Sequence, residues 1–133
     1  MDYQKKIILI VEDEPPILSI LSDKLTQNGF EVIQATNGLD GLNLALQKHP
    51  DLVLVDILMP KIDGMTMLQK LRADAWGKTV PAIILTNVNP DNNQTLEDIN
   101  KTQPAYYFVK SDIKLDEVVE RVREILSAAK TEE

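Results

Sequence analysis

Short aliphatic runs alternate with segments of helical periodicity along the whole chain, and this alternation limits the possible folds. The most apolar runs are Ile7–Val11, Leu52–Val55 and Val80–Leu85. A continuous aliphatic run of this length predicts a strand that is buried on both faces. Strand–helix units repeated five times predict a parallel sheet with helices on both faces. We therefore predict an α/β doubly wound fold with five strands and five helices, forming one domain over residues 1–133 with a core of about 6–130.

Apolar residues at helical spacing mark the helices between these runs. The first helix is predicted to follow Pro15-Pro16 and to stop at Asn28-Gly29, because proline is tolerated in a first turn and glycine ends helices. The run Phe30–Ala35 alternates partly between apolar and polar residues, which is typical of an edge strand. The remaining helices are predicted as a second one with Leu39, Leu42, Ala45 and Leu46 on one apolar face and an end near His49-Pro50, a third from Gly64 to about Asp74, a fourth over Thr95–Lys101, and a closing helix from Leu115.

Polar side chains stand at the predicted carboxyl ends of four strands. Glu12 and Asp13 follow the first strand, Asp56 ends the third, Thr86 ends the fourth and Lys110 follows the fifth. Ligands of open parallel sheets bind outside the carboxyl ends of the strands, where the strand order reverses. We therefore expect three carboxylates, one hydroxyl and one ammonium group to converge in one crevice.

The chemistry of this predicted cluster favours a phosphoryl group and a hard cation. Three carboxylates held close together repel one another, which raises a pKa or recruits a cation. Oxygen ligands alone favour Mg²⁺, with Mn²⁺ as the alternative. Lys110 and Thr86 supply a positive charge and a hydroxyl donor for phosphoryl oxygens, and a carboxylate can itself become an aspartyl-phosphate.

Each of these residues also has a purely structural explanation when it is considered singly. The acidic run Glu12-Asp13-Glu14 could favour a helix amino terminus through the helix dipole. Lys110 could be a surface lysine and Thr86 a hydroxyl at the end of a strand. Four coincidences at the correct strand ends favour the functional interpretation.

Composition excludes several classes of function. The net charge of −7 argues against a direct nucleic-acid partner. The chain has no cysteine, which excludes disulfides and thiol catalysis, and His49 is its one histidine. The longest apolar run near the start is too short for a membrane span or a signal peptide, so we expect a cytoplasmic protein without membrane association.

The motifs at the strand ends resemble the receiver domain of two-component response regulators, of the chemotaxis-regulator type. The resemblance covers roughly Lys6 to Lys130. Its motifs are ILIVEDEP (Ile8–Pro15), DILMPKIDG (Asp56–Gly64), ILT (Ile84–Thr86) and YFVK (Tyr107–Lys110). The resemblance implies a flavodoxin-like sheet with strand order 2-1-3-4-5.

The resemblance also implies a role for each residue of the cluster. Asp56 would accept a phosphoryl group from a histidine kinase or phosphotransfer protein, and Lys110 would pair with that group. Asp13, Asp56 and the backbone carbonyl of Leu58 would bind Mg²⁺ directly. Glu12 would act mainly through metal-bound water. The chain would catalyse only its own phosphorylation and dephosphorylation, so it would not be an enzyme in the usual sense.

A switch is implied as well, with a protein as its output partner. Thr86 would move to bond a phosphoryl oxygen, and Tyr107 would turn inward. The surface around Gln94–Lys101 and Ala105–Val109 would then change. The partner's identity is open, and we expect a monomer or weak dimer.

Departures from the family pattern concern the switch more than the acceptor site. Asn87 stands where a small residue is usual, Gln103-Pro104 replaces Gly-Ala, and Tyr106 adjoins Tyr107. Two other functions stay open. One is a phosphohydrolase with an aspartate nucleophile, although Leu58 stands where its second acid would be. The other is a phosphate-independent interaction module with the same fold.

Overall fold

The computed structural model of the protein describes residues 5–57, 63–87, 97 and 99–131. Its strands are β1 (Ile7–Val11), β2 (Glu31–Ala35), β3 (Leu52–Asp56), β4 (Ala82–Thr86) and β5 (Tyr106–Val109). They form one parallel sheet in the order β2-β1-β3-β4-β5. The predicted fold class is confirmed, together with the strand order that the resemblance implied.

Helices follow the strands as the alternation predicted. Those with described bounds are α1 (Pro15–Gln27), α2 (Gly38–Lys48), α3 (Gly64–Arg72) and the closing helix α5 (Leu115–Thr131). Residues 97 and 99–101 are also helical and belong to the predicted fourth helix, α4, whose other residues lie outside the described part. A short 3-10 helix, Lys110–Asp112, directly follows β5.

The sheet separates two hydrophobic clusters, because side chains alternate between the faces of a strand. Ile8, Ile10 and Leu54 point to the side that α1 and α5 cover, where Val118 and Val122 also lie. The other side holds Leu9, Val11, Val53, Val55 and Ile84, together with apolar residues of α2 and α3. Every residue of β3 and β4 is buried, whereas β2 is partly exposed as expected of an edge strand.

The apolar face predicted for α2 is only partly correct. Ala45 is buried and Leu42 is half-buried, but Leu39 and Leu46 are 42% and 37% exposed. Small residues face the sheet instead, because a Cβ atom added at Gly41 would lie 2.8 Å from Cγ2 of Val11. Helix α2 therefore packs closely on β1 through residues that an apolar pattern does not reveal.

Helix α3 is shorter than the range predicted to about Asp74. The Asp74 carboxylate accepts hydrogen bonds from the backbone N–H groups of Trp76 and Gly77, both at 2.9 Å. These bonds start a new turn after Arg72 in place of a further helical turn. The strands β2 and β4 likewise start slightly later than predicted.

Arg72 joins the segments that lead into β4 and β5. Its guanidinium donates hydrogen bonds to the backbone carbonyls of Gly77, Val80 and Thr102 at 2.6–2.8 Å, and to that of Gln103 at 3.3 Å. Gln103 has a positive φ of 53°, so the turn before β5 is a left-handed one. Arg72 thus fixes the amino ends of two neighbouring strands.

Candidate functional site

The acidic turn after β1 is part of the interior. The Glu12 N–H donates to the carbonyl of Ala35 at 3.0 Å, which extends the pairing of β1 with β2 by one residue. The Glu12 side chain is fully buried, and its Oε2 accepts the backbone N–H of Glu14 at 2.9 Å. The neighbouring Asp13 is half-buried at the rim.

Asp56 is the last residue of β3 and is 3% exposed. The start of α3 is held against this strand end, because the Gly64 N–H donates to the Ile57 carbonyl at 3.2 Å. A Cβ atom at Gly64 would clash with the backbone carbonyl of Asp56. Glycine is therefore required where α3 approaches the acid.

Lys110 lies among three carboxylates. Its Nζ is 2.9 Å from Oε1 of Glu12, 3.0 Å from Oδ2 of Asp56 and 3.1 Å from Oε2 of Glu14. The side chains of Lys110, Glu12 and Asp56 are at most 4% exposed, so the contacts among them are shielded from water, whereas the Glu14 side chain is 48% exposed. The lysine links the ends of β1, β3 and β5 at one point of the sheet edge.

Burial and charge shift the acid–base properties of this cluster. Burial raises the pKa of Glu12 to about 7, assisted by the charge of Asp56 and opposed by hydrogen bonds from Lys110 and the Glu14 N–H. Burial alone would lower the pKa of Lys110. The hydrogen bonds to Glu12, Asp56 and Glu14 outweigh burial and raise that pKa, so the lysine stays cationic.

The acidic residues of the site fit a hard cation. Carboxylate oxygens of Glu12, Asp13 and Asp56 lie within 4.8 Å of one another. Among the described residues, the buried Oε1 of Glu12 accepts no hydrogen bond of good geometry, and its close contact is the ion pair with Lys110 Nζ at 2.9 Å. A buried acceptor oxygen of this kind suits a cation or a water molecule that the cation holds.

The structure brings most of the predicted residues together. Glu12, Asp13, Asp56 and Lys110 form one cluster, and Thr86 ends the neighbouring strand with 1% exposure. The predicted ligand Leu58 lies outside the described residues. The predicted convergence at the carboxyl ends of the strands is thus observed for Glu12, Asp13, Asp56 and Lys110, while Thr86 is placed at the end of the strand next to β3.

The two tyrosines of β5 lie on opposite faces of the sheet. Tyr106 packs on Phe108 and lies under the guanidinium of Arg121 towards α5. Tyr107 is paired in register with Ile84 and alternates to the opposite face, where Ile84 lies. Both rings are partly exposed, at 38% and 36%. Tyr107 is therefore the tyrosine on the same side as Ile99 of α4.

Glu14 is the residue of this cluster that the motifs did not single out. It stands in the run Glu12-Asp13-Glu14, of which only Glu12 and Asp13 are predicted site residues, but its carboxylate reaches Lys110 across the site. The distance along the chain between Glu14 and Lys110 hides this contact from any local pattern.

Comparison with known proteins identifies the family. The profile of the response regulator receiver domain matches residues 8–123. The chain belongs to this family. It is a response regulator receiver domain of two-component signalling with a CheY-like fold, and the site just described occupies the carboxyl edge of its sheet.

Several relatives cover most of the receiver domain. The present chain is 34% identical over 119 residues to the DNA-binding dual master transcriptional regulator RpaA of Synechocystis sp., and the match covers 90% of this chain and 48% of RpaA. It is 32% identical over 120 residues to protein PilH of Pseudomonas aeruginosa, covering 90% of this chain and 97% of PilH. The chain thus spans about half the length of the first relative and almost all of the second.

A solved receiver domain resembles the chain in structure as well. It comes from a sensor histidine kinase of Pseudomonas aeruginosa and superposes with a TM-score of 0.83 at 25% identity, covering 93% of this chain and 99% of that one. That structure holds a magnesium ion in its active-site cleft. In the described part of the present chain, none of the helices has the length and apolar content needed to span a bilayer.

Proposed function

We propose that Asp56 accepts a phosphoryl group from the phosphohistidine of a histidine kinase or phosphotransfer protein in a Mg²⁺-dependent reaction. The observation that carries this proposal is the position of Lys110 Nζ, 3.0 Å from Oδ2 of Asp56 beside two further acids. In the reaction a bond forms between an Asp56 oxygen and phosphorus. The phosphorus–nitrogen bond of the donor breaks, and its electron pair leaves with the imidazole.

The side chains around Asp56 have distinct tasks in this proposal. Lys110 places a positive charge beside the incoming phosphoryl oxygens and keeps Asp56 oriented. Asp13, Asp56 and the backbone carbonyl of Leu58 would hold Mg²⁺, with Glu12 contributing through a metal-held water. When bound, the cation neutralises negative charge on the phosphoryl oxygens.

Phosphorylation would be read out through the face that carries α4 and β5. Thr86 would bond a phosphoryl oxygen and Tyr107 would move inward, which changes the surface offered to a protein partner. The net charge of −7 favours a protein over nucleic acid as that partner. The proposal includes a monomer or weak dimer in the cytoplasm that catalyses only its own phosphorylation and dephosphorylation.

Intact-protein mass after incubation with acetyl phosphate tests the proposal. We expect one phosphoryl adduct that requires both Mg²⁺ and Asp56, so Asp56→Asn should show none. Asp23→Asn, which makes the same change on the exposed face of α1, is the matched control and should behave as the wild type. An adduct that persists in Asp56→Asn would contradict the proposal.

The alternative is a phosphate-independent interaction module. It would give no adduct and no Mg²⁺ binding in the same experiment. Burying Lys110 among acids costs desolvation free energy that an interaction surface alone would not require, so the cluster favours the phosphorylation proposal.

A further inference from the structure

The three carboxylates around Lys110 differ in how strongly the fold holds them. An ammonium group has three N–H donors, and Glu12, Asp56 and Glu14 all lie within 3.1 Å of Nζ. The side chains of Glu12 and Asp56 are 0% and 4% exposed, whereas that of Glu14 is 48% exposed. Of these three carboxylates, only that of Glu14 is exposed enough for water to take the place of Lys110 as its hydrogen-bond partner.

The local structure around Glu14 does not need its carboxylate. Glu14 is the residue that caps α1, and its backbone carbonyl accepts the N–H of Leu18 at 3.0 Å. Its backbone N–H donates to Glu12. The side chain makes no capping hydrogen bond, although capping is the usual task of a polar side chain at this position. The carboxylate instead extends to Lys110, and replacing it leaves both backbone contacts in place.

We propose that Glu14 is a positioning residue that slows phosphorylation of Asp56. Its carboxylate occupies one N–H group of the Lys110 ammonium and repels the anionic molecule that supplies the phosphoryl group. This inference rests on the proposed function. A phosphoryl oxygen that binds Lys110 needs one of the three N–H donors. Glu14 yields that donor at the lowest cost because its carboxylate is already half in water. The contact therefore sets the reactivity of the resting site without being part of the reacting group.

Phosphorylation kinetics with acetyl phosphate test this role. In that reaction the Asp56 oxygen bonds to phosphorus, the bond from phosphorus to the acetyl oxygen breaks, and acetate leaves with the electron pair. Glu14→Gln keeps the shape and removes the charge, and it should raise the rate constant roughly two- to fivefold, as expected for a half-exposed ion pair. Glu14→Ala should raise it at least as much. A rate constant that stays the same or falls in both variants would overturn the inference.

A matched control separates the local contact from the general charge of the protein. Glu31→Gln makes the same charge change on an exposed side chain at the amino end of β2, paired in register with Ile7. It should leave the phosphorylation rate unchanged. If Glu31→Gln accelerates the reaction as much as Glu14→Gln, net charge explains the effect and the proposed role of Glu14 is wrong.

NMR of the lysine ammonium groups gives a readout that needs no phosphoryl transfer. The Lys110 ammonium signal should shift in Glu14→Gln, and an unchanged signal would contradict the contact. Mg²⁺ affinity should be retained in Glu14→Gln. A large loss of affinity would indicate that Glu14 is a metal ligand and would contradict the proposed role. Failure of the proposed function is distinguishable, because wild type would then form no adduct even though the ammonium signal shifts.

Discussion

Glu12 shows at the scale of one residue how the site conflicts with the stability of the fold. A fully buried carboxylate is held beside Asp56, and burial is the main reason that its pKa rises to about 7. The sequence places Glu12 in an acidic turn, and its neighbours along the chain give no sign of this burial. Burial follows from the pairing of Glu12 with Ala35 on the next strand, which only the assembled sheet creates.

The raised pKa of Glu12 predicts a pH-dependent gain of stability in Glu12→Gln. A raised pKa in the folded state means that the contribution of Glu12 to stability is full below pH 4.5 and is lost as pH rises through 7. In metal-free protein at pH 8, Glu12→Gln should therefore be more stable than wild type by on the order of 3 kcal/mol. Near pH 4.5 the two should be similar. Urea unfolding at both pH values measures the difference, and a variant that is less stable at pH 8 contradicts this account.

Asn87 lies directly after Thr86, is exposed, and is expected to shield the phosphoryl group from water. Asn87→Ala should shorten the lifetime of the phosphorylated protein, because a smaller side chain gives water better access to phosphorus. The decay of the phosphoryl adduct by intact mass measures this lifetime. Asn43→Ala, an exposed change on α2, is the control. A lifetime in Asn87→Ala that equals or exceeds that of wild type counts against shielding.

At the scale of elements, periodicity predicted which segments form helices better than how the helices pack. The aliphatic runs identified β1, β3 and β4, because buried parallel strands need continuous apolar residues, and partial alternation identified the edge strand β2. The contact of α2 with β1 was missed, since Gly41 permits close approach without itself being apolar. Close packing of backbones depends on the absence of a side chain, and a hydrophobic pattern cannot record such an absence.

Replacing Gly64 with alanine should affect the site more than the fold. In Gly64→Ala the new methyl group would collide with the backbone of Asp56, which cannot be relieved by rotating a side chain. We expect a loss of roughly 1–3 kcal/mol in stability and a clear loss of Mg²⁺ affinity, because the carboxylate must move.

Gly29→Ala is the matched control for Gly64→Ala. Gly29 has a φ of 92°, and nothing lies within 4 Å of the position that a Cβ atom would take there, so alanine costs backbone strain far from the acids. It should lower stability by about 1 kcal/mol and leave Mg²⁺ affinity unchanged. Calorimetric titration and thermal unfolding of both variants compare the two effects. Equal Mg²⁺ affinities in Gly64→Ala and Gly29→Ala would contradict the proposed positioning of Asp56 by α3.

Across the whole molecule, the carboxyl and amino ends of the strands have different roles. The carboxyl edge gathers the acids and Lys110, whereas the amino edge is tied together by Arg72. The order of strand ends and the doubly wound topology were enough to predict the first arrangement. The arrangement around Arg72 was not predictable, because its guanidinium donates hydrogen bonds to carbonyls of two separate turns whose shapes the sequence does not specify.

Arg72→Met should therefore weaken the fold without disturbing the site. The change leaves several backbone carbonyls without their donor, at a cost of roughly 2–4 kcal/mol. Hydrogen exchange should accelerate around residues 77–80 and 102–105, while Mg²⁺ affinity is retained. Lys70→Met, an exposed cation on the same helix, is the control and should change neither property. Loss of Mg²⁺ affinity in Arg72→Met would contradict the separation of the two edges.

The central claim, that Asp56 is the residue that receives phosphorus, is tested most directly by chemical trapping. Borohydride reduces an aspartyl-phosphate to homoserine, and peptide mass spectrometry then identifies the modified position. After incubation with acetyl phosphate and Mg²⁺, the account predicts homoserine at position 56 and aspartate unchanged at position 13. Homoserine at position 13, or at any acid other than Asp56, would contradict it.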